Sequence, residues 1–485
     1  MLQIRLAEKM AGAVCGLFYL FLATALTAVE KPNLIVIMSD DQGRWAYGAS
    51  DPRIQTPNID FLSRKGVRFD QAISPSPVCS AARASFMTGR MPSQHGVHDF
   101  LSEDFANEAG WLTDETLLSQ ELQSLGYRVG LFGKWHADSM GWKPVRGFDR
   151  WLSYDERDAP WINQYLHSGT VHFSRDGEAI HYTGVQAHFL ASESIKFIDE
   201  LDERPFAIFL NFVEPHFPFE DLPERLVARY RPIAVDIVAA GGTSSLARPA
   251  TQGEVISDHA ERLSQYLAAV TLLDEQVGRI LDALQGRRLI ENTVVIYTSD
   301  QGHMTGQYGL YGKGNASLPQ NLYEESISIP LVVSGPESLV QAGQTRSEFV
   351  TLCDLNRTLV DLAGGNPVQS SGPGLSLSAL LRGERIADWR SYHFAEYGNA
   401  RMVSDGRWKL VTYYPEDPES DPLEEWFDLT HPLGEMHPSP QPSQAQASAL
   451  RKALAAFFEE YESPENSGKR IWSRPKQNGM EPWRQ

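Results

Sequence analysis

The chain has 485 residues, of which 42% are hydrophobic and 22% charged, with 38 Gly and 29 Pro. The glycines and prolines follow no repeat, so length and composition exclude collagen, coiled coil and wholesale disorder, and leave room for two or three domains. The formal net charge of −19 excludes bulk electrostatic binding of nucleic acid or anionic membrane, so an anionic substrate would need a local cluster of positive charge.

The N-terminus has the pattern of a signal peptide. An apolar run over residues 11–26 follows Arg5 and Lys9, and residues 1–25 are predicted to be removed after Ala25. The run is shorter than the ~20 residues of a spanning helix, so an uncleaved anchor is the less favoured alternative. We therefore expect an exported protein, periplasmic or extracellular, with no stable membrane span after cleavage. Asn315 begins a glycosylation sequon and lies two residues from Lys313. A glycan there would crowd Lys313, which favours a bacterial source.

Five apolar runs predict strands that are buried on both faces, and helical stretches separate them. The strands are predicted at 33–39, 128–132, 205–212, 293–299 and 329–334, and the helices near 58–66, 115–125, 187–203, 255–284 and 349–363. This alternation predicts an α/β fold in which helices sandwich a large, mostly parallel sheet. The first domain is predicted to span residues 31–383.

The character of the chain changes after residue 383. Short apolar segments at 401–404 and 407–413 precede one helix near 447–461, which predicts a smaller C-terminal α+β domain with an antiparallel sheet over 384–462. Residues 463–485 are predicted to be an extended tail. Its basic and aromatic residues suggest that it folds back near the cleft mouth and holds a polyanion, with a solvated tail as the alternative. These residues are Lys469, Arg470, Trp472, Arg474, Lys476, Trp483 and Arg484.

Two of the predicted strands end in similar acidic motifs, the first in SDDQG and the fourth in SDQGH. Chemistry gathers at the carboxyl ends of strands in open α/β sheets. Carboxylate and amide oxygens suit Ca²⁺ or Mg²⁺. Either motif alone is more typical of a turn, but the matched pair favours a metal site. The side chains expected to meet there are Asp40, Asp41, Asp300 and Gln301.

Cationic side chains follow other strand ends. The second strand is followed by GKWH, the third by EPHFP, and a later loop contains YGKG. A lone residue of this kind is usually solvated, but together they give the local positive cluster that an acidic protein needs for an anion. Its members are Arg83, Lys134, His136, His216 and Lys313.

The segment CSAAR at Cys79–Arg83, with TGR at Thr88–Arg90, is similar to the signature of the type I sulfatases. The DD, GKWH, PH and DQG motifs and Lys313 follow in family order, so the resemblance covers about 32–364, and residues 401–411 and 426–429 resemble the family's smaller domain. These enzymes belong to the alkaline phosphatase superfamily. Position 81 is Ala where Pro is commoner, and Gln301 replaces a more usual Asn while still offering a carbonyl oxygen.

The resemblance implies that a formylglycine-generating maturation enzyme oxidises Cys79 and that the hydrated aldehyde supplies the nucleophile. Arg83 would favour the oxyanion, and His136 would take a proton from the second hydroxyl. His216 or Lys313 would protonate the leaving oxygen, and which histidine is acid and which is base stays open. The residues implied to hold Ca²⁺, or Mg²⁺ in its place, are Asp40, Asp41, Cys79, Asp300 and Gln301. Those implied to hold the sulfate are Lys134, His216 and Lys313.

The sequence therefore predicts a sulfuric ester hydrolase whose catalytic domain is 31–383. A sulfated saccharide is favoured as substrate over a small aryl or choline ester. The alternatives are a phosphate or phosphonate ester hydrolase of the same superfamily and a non-catalytic binder of sulfated glycans. Four aromatic residues in the surrounding loops could stack on sugar rings, although packing is the favoured role: Trp111, Trp161, Tyr165 and His167.

Overall fold

A computed structural model of the chain describes residues 31–484 apart from 103–104, 106–109, 158–163, 201, 239–247, 250–257, 367–370 and 432–433. The predicted signal peptide and Trp161 lie outside the described residues. Among the helices of the described part, none combines the length and the apolar character that a membrane crossing requires.

Ten strands form a central sheet. In chain order they are β1 (Asn33–Ser39), β2 (Gly66–Phe69), β3 (Arg128–Gly133), β4 (Arg150–Tyr154), β5 (Ser168–Arg175), β6 (Glu178–Val185), β7 (Phe206–Asn211), β8 (Thr293–Ser299), β9 (Leu331–Ser334) and β10 (Gln344–Arg346). Their spatial order is β10-β2-β9-β8-β1-β7-β3-β4-β5-β6. The run from β8 to β4 is parallel, whereas β9, β5 and β6 join antiparallel. The predicted large, mostly parallel sheet is confirmed.

Helices cover both faces of this sheet. In chain order, the α-helices of the described residues are α1 (Pro57–Lys65), α2 (Cys79–Thr88), α3 (Pro92–His95), α4 (Leu118–Ser124), α5 (Gln186–Asp199), α6 (Glu224–Tyr230), α7 (Ala234–Ile237), α8 (His259–Gly286), α9 (Glu324–Ile327), α10 (Leu352–Leu362), α11 (Ser378–Leu381) and α12 (Gln444–Glu460). The short strands outside the sheet pair as Ala72–Ile73 with Val350–Thr351, Met304–Thr305 with Tyr311–Gly312, and Arg248–Pro249 with Ser317–Leu318.

Alternation along β1 explains why the sheet is buried on both sides. Ile35 and Ile37 lie in an apolar cluster with residues of α5, α6 and α8. Leu34, Val36 and Met38 point the other way, into a cluster with residues of α2, α4 and α10. Each such side chain contributes about 1.5–3 kcal/mol when it leaves water, so a continuous apolar run is stable only as a central strand.

The C-terminal part has a second, antiparallel sheet, as predicted. Its strands are β11 (His393–Tyr397), β12 (Ala400–Ser404), β13 (Trp408–Tyr413) and β14 (Leu423–Asp428). One face contributes Tyr397, Met402 and Phe427 to the cluster that contains α2. The other face, with Val403 and Leu410, packs against α12. The small sheet is thus covered on both sides, once by the main body and once by α12.

The tail folds back on the body. It contains two short 3-10 helices, Gly468–Ser473 and Pro482–Arg484, so it is not extended throughout. Ile471 of the tail is buried. The ring centroids of Trp483 and Tyr397 lie 5.9 Å apart in an edge-on contact. Arg484 forms an ion pair with Glu481 inside the tail. The tail is therefore packed rather than solvated, and its proposed hold on a polyanion stays a prediction.

Candidate active site

The two acidic motifs meet because their strands are neighbours. In the parallel pair β1 and β8, Ser39 lies opposite Ser299, so the residues that come next in each chain segment leave the sheet at the same edge. Three carboxylates and one amide converge there, and at most 1% of the surface of each residue is exposed. They are Asp40, Asp41, Asp300 and Gln301.

Cys79 is the first residue of α2 and lies against this cluster. Its Sγ is 2.7 Å from Lys313 Nζ, 3.3 Å from Gln301 Nε2 and 3.4 Å from Asp40 Oδ1. It also lies at the end of the helix where unpaired N–H groups and the helix dipole favour negative charge. The side chain at position 79 is 3% exposed. Any oxygen at this position would therefore face carboxylates and ammonium groups together.

Arg83, one turn further along α2, is tied to Asp300. Its Nε and Nη2 both lie 2.8 Å from Asp300 Oδ2, and its Nη1 donates to the Lys134 carbonyl at 2.9 Å. The other oxygen, Asp300 Oδ1, accepts the backbone N–H of Asp41 at 3.2 Å and of Gln301 at 2.9 Å. Both oxygens of Asp300 thus already have protein donors, and its role as a metal ligand stays a prediction.

The two lysines contact the carboxylates. Lys134 Nζ lies 2.5 Å from Asp40 Oδ2 and 3.1 Å from the Tyr165 hydroxyl. Lys313 Nζ lies 2.6 Å from Asp41 Oδ1. With Arg83, these lysines give three buried positive charges against the three carboxylates. The predicted sulfate-binding role of the lysines stays a prediction, although both are within the cluster.

Burial and charge act in opposite directions on these groups. Burial alone would raise the pKa of Asp40, but Lys134, His216 and Arg83 hold it below its ordinary value. The pKa of Asp41 is likewise lowered against the effect of burial, chiefly by Lys313 and His216. These two acids are therefore ionised across the physiological range and available to a cation.

His216 and His303 flank Asp41. His216 Nε2 lies 3.5 Å and His303 Nδ1 lies 3.4 Å from Asp41 Oδ2. The Tyr165 ring stacks on the His216 ring with centroids 4.1 Å apart. His303 was not selected from the sequence as a site residue, although it ends the SDQGH motif, which was the available signal. Tyr165 lies far from any motif in the sequence.

Trp111 and His167, which were also considered for stacking, are buried. Trp111 lies in the cluster that contains α2, as expected for packing. His167 is 2% exposed and donates through Nε2 to the Pro218 carbonyl at 3.0 Å. Of the described residues considered for stacking on a sugar, only Tyr165 contacts a predicted site residue.

His136 is held by a backbone group. Its Nε2 lies 2.8 Å from the Leu101 carbonyl oxygen, and since a carbonyl can only accept, Nε2 carries the proton. Nδ1 is buried without a hydrogen-bond partner. Burial and the nearby Lys134 hold the pKa of His136 well below its ordinary value. His136 has a φ of 51° and Asp41 a φ of 66°, and such left-handed non-glycine residues cost about 1–3 kcal/mol each and cluster at functional sites.

The oxygen donors of the site fit a hard divalent cation. Asp40, Asp41, Cys79 and His216 each offer one ligand atom, and these atoms lie within 4.8 Å of one another. Asp41 Oδ2 and Gln301 Oε1 are buried without a hydrogen-bond partner. Turning the Gln301 amide over would direct Oε1 at the carboxylates, in the place of Nε2. Buried oxygen atoms that lack partners are what Ca²⁺ or Mg²⁺ would satisfy.

Comparisons with known proteins identify two matching family models. The family model named Sulfatase matches residues 32–365, and the model named N-sulphoglucosamine sulphohydrolase, C-terminal, matches residues 306–460. A choline-sulfatase of Rhizobium meliloti (strain 1021) is 28% identical over 476 residues, covering 88% of this chain and 87% of the relative. An N-acetylglucosamine-6-O-sulfatase of Bacteroides thetaiotaomicron is 26% identical over 495 residues, covering 84% and 82%.

A solved structure has the same fold. It is described as BT4656 in complex with its substrate D-glucosamine-2-N,6-O-disulfate. Its TM-score is 0.75 at 23% sequence identity, and the match covers 89% of this chain and 98% of that chain.

Proposed function

The chain belongs to the sulfatase family and is an enzyme that hydrolyses sulfate esters, and we propose that its nucleophile is a formylglycine made from Cys79. One observation carries this proposal. The side chain at position 79 begins a buried helix and lies within 3.4 Å of a carboxylate, an amide and an ammonium group. That is the environment in which a hydroxyl could be ionised and then meet a sulfur centre that carries negatively charged oxygens.

The unmodified thiol is poorly suited to the same task. Burial and the charge of Asp40 raise the pKa of Cys79 to about 12, so the thiol stays protonated near neutral pH. Nucleophilic attack needs the thiolate. Formylglycine, when formed, supplies in its hydrated form one hydroxyl for attack and a second for release of the sulfate.

A bound divalent metal would make the site positive. Asp40, Asp41 and Asp300 are matched by Arg83, Lys134 and Lys313, so these six side chains sum to zero. A divalent cation would leave the site with a charge of about +2, which suits an anionic sulfate ester. We propose that Asp40, Asp41, Gln301 and residue 79 hold Ca²⁺, or Mg²⁺ in its place, with Asp300 as a further ligand.

The remaining side chains would bind the sulfate or transfer protons. Lys134 and Lys313, with His216, would hold the sulfate oxygens, and Arg83 would stabilise the attacking oxyanion. His216 or Lys313 would give a proton to the leaving oxygen. His136 would accept a proton at Nδ1, because its Nε2 proton is already donated to the Leu101 carbonyl. A histidine held in one tautomer in this way is suited to act as a general base.

We propose a sulfated saccharide as the substrate. The named relatives include an N-acetylglucosamine-6-O-sulfatase and an ulvan-active sulfatase, whereas another is a choline-sulfatase. The saccharide sulfatases support the proposal, and the choline-sulfatase defines the competing one. An exported enzyme, as the N-terminal pattern predicts, would meet such saccharides outside the cytoplasm.

Mass spectrometry of the peptide that contains residue 79 tests the nucleophile. Enzyme produced with the maturation enzyme should carry an aldehyde there in place of the thiol, and its activity should follow the fraction converted. Full activity in enzyme whose residue 79 is entirely thiol would refute the proposal.

A panel of sulfated mono- and oligosaccharides, choline sulfate, an aryl sulfate and a phosphonate monoester would test the substrate. Preference for the phosphonate would favour the alternative hydrolase.

Cys79→Ser tests the need for two oxygens. A serine supplies one hydroxyl, which the site could still activate, but His136 would find no second hydroxyl to deprotonate. We expect at most one equivalent of released alcohol per enzyme and a sulfate ester on the introduced serine. Cys79→Ala is the matched control and should release none. Sustained turnover by a variant with unmodified serine would contradict the proposal.

A further inference from the structure

We propose that Gln477 and Asn478 of the C-terminal tail are positioning residues for His136. They act through residues 96–102, which we call the clamped segment. The inference rests on the base role proposed for His136. Both family models end before the tail, at residues 365 and 460, so Gln477 and Asn478 lie outside the part of the chain that they match.

Five hydrogen bonds join Gln477 and Asn478 to the clamped segment. Gln477 Oε1 accepts the backbone N–H of His98 at 2.8 Å and of Asp99 at 2.7 Å. Gln477 also donates through Nε2 to the Gly96 carbonyl at 2.9 Å, and its own carbonyl accepts the N–H of Ser102 at 3.0 Å. Asn478 Nδ2 donates to a fifth group, the Phe100 carbonyl, at 3.0 Å.

Both tail side chains are buried at this contact. Gln477 is 0% exposed and Asn478 is 1% exposed. The clamped segment belongs to no helix or strand, so it has no ladder of its own to fix its backbone. Its position therefore depends on hydrogen bonds from elsewhere in the chain, and Gln477 and Asn478 provide five of them.

The opposite side of the same segment faces the catalytic residues. The Leu101 carbonyl accepts from His136 Nε2 at 2.8 Å, and the Leu101 N–H donates to Ser80 Oγ at 2.9 Å. Ser80 directly follows Cys79 in α2. Leu101 thus joins the histidine to the helix that carries the nucleophile, while its neighbours Phe100 and Ser102 are bound by the tail.

The consequence concerns the tautomer and the direction of the ring. If the clamped segment moves, the Leu101 carbonyl leaves Nε2, and nothing holds the proton on that nitrogen. His136 would then alternate between two tautomers, one with an N–H and one with a lone pair at Nδ1. Only the tautomer with the lone pair can accept a proton there. Lys134 and Lys313 bond to neither the tail nor the clamped segment, so binding of the sulfate should be spared.

Hydrogen exchange tests the clamp without reference to activity. Gln477→Ala should lower the protection of the His98 and Asp99 amides, whose hydrogen bonds to Gln477 Oε1 it removes. Lys476→Ala, at the exposed neighbouring position, should leave that protection intact. Unchanged protection in the folded Gln477→Ala protein would overturn the proposal. If that variant does not fold, Asn478→Ala, which frees the Phe100 carbonyl, is tested in the same way.

Kinetics with an aryl sulfate test the consequence. We expect Gln477→Ala to lower kcat by about 10-fold to 100-fold with KM within about twofold, since misplacing a catalytic group by about 1 Å has effects of this order. In a His136→Ala background the same substitution should cause no further loss. An equal loss in both backgrounds would mean that Gln477 does not act through His136. If His136→Ala itself leaves turnover unchanged, the proposed base is wrong, while the exchange result still decides the clamp.

Discussion

Asp99→Asn is expected to remove a pH-dependent loss of stability. Asp99 lies in the clamped segment and is 0% exposed. Its Oδ1 accepts the Tyr397 hydroxyl and the Phe100 N–H, both at 2.8 Å. Burial raises the pKa of Asp99 from an ordinary 3.8 to about 7, and Glu481 adds a like charge. The folded protein therefore keeps this proton over a range in which the unfolded chain has lost it.

The sign of the effect comes from this difference. Because the folded form binds the proton more tightly, the contribution of Asp99 to the free energy of unfolding is largest at low pH and declines as the pH rises to about 7. From pH 5 to pH 7 the decline is about 1.4 kcal/mol per pH unit, or about 3 kcal/mol in all. Asparagine cannot titrate, so the variant should lack this slope.

Urea unfolding at pH 5, 6, 7 and 8, followed by tryptophan fluorescence, measures the effect. The free energy of unfolding of Asp99→Asn minus that of the wild type should rise by about 3 kcal/mol from pH 5 to pH 8. Any pH-independent cost of the substitution cancels in this comparison. Asp421→Asn, at an exposed position, is the matched control and should run parallel to the wild type. A parallel profile for Asp99→Asn would refute the reasoning.

Three further predictions concern the site. Chelation should abolish turnover and added Ca²⁺ or Mg²⁺ should restore it, so full activity in rigorously metal-free enzyme would exclude the proposed metal. Gly133→Ala would place a Cβ 1.9 Å from the Asn211 carbonyl oxygen and should lower kcat/KM at least about tenfold. Gly126 has a similar positive φ, but a Cβ there would have nothing within 4 Å, so the Gly126→Ala variant should stay active. Equal losses of activity in the two variants would mean that backbone strain, and not the contact with Asn211, causes the loss. Arg83→Lys keeps the charge but loses the forked contact with Asp300, and should lower the free energy of unfolding by about 1–3 kcal/mol. Denaturant titration would detect this loss, and an unchanged unfolding midpoint would contradict the prediction.

The central strands could be predicted from the sequence because burial on both faces leaves a continuous apolar run. All five predicted strands lie in the central sheet, with ends shifted by at most two residues. The hairpin of β5 and β6 was not predicted. It lies at the edge of the sheet, and most of β6 is exposed or half-buried, so its residues carry no such run. The exposed edge of a sheet leaves little hydrophobic signal.

The site residues at the strand ends could be predicted for the same reason. Once the ends of the parallel strands are known, the first residues of the loops beyond them are known as well. Asp40, Asp300 and Lys134 come together in this way. Tyr165 was considered only for stacking on a sugar, and its contacts with Lys134 and His216 could not be predicted. Gln477 was not selected, because it lies in a segment without a motif. Gln477 bonds to Asp99 from 378 positions away in the chain. Such contacts depend on tertiary packing that no local pattern encodes.

The apolar cluster shared by the two sheets bears on how the enzyme admits its substrate. Tyr397, Met402 and Phe427 of the small sheet lie in one cluster with Ala82 and Phe86 of α2. Swinging the two sheets apart would expose this surface to water, so a hinge motion between them is disfavoured. We expect substrate to enter and product to leave without separation of the two sheets. Selection for a new substrate could therefore remodel segments outside this cluster without disturbing the packing beneath the reacting residues.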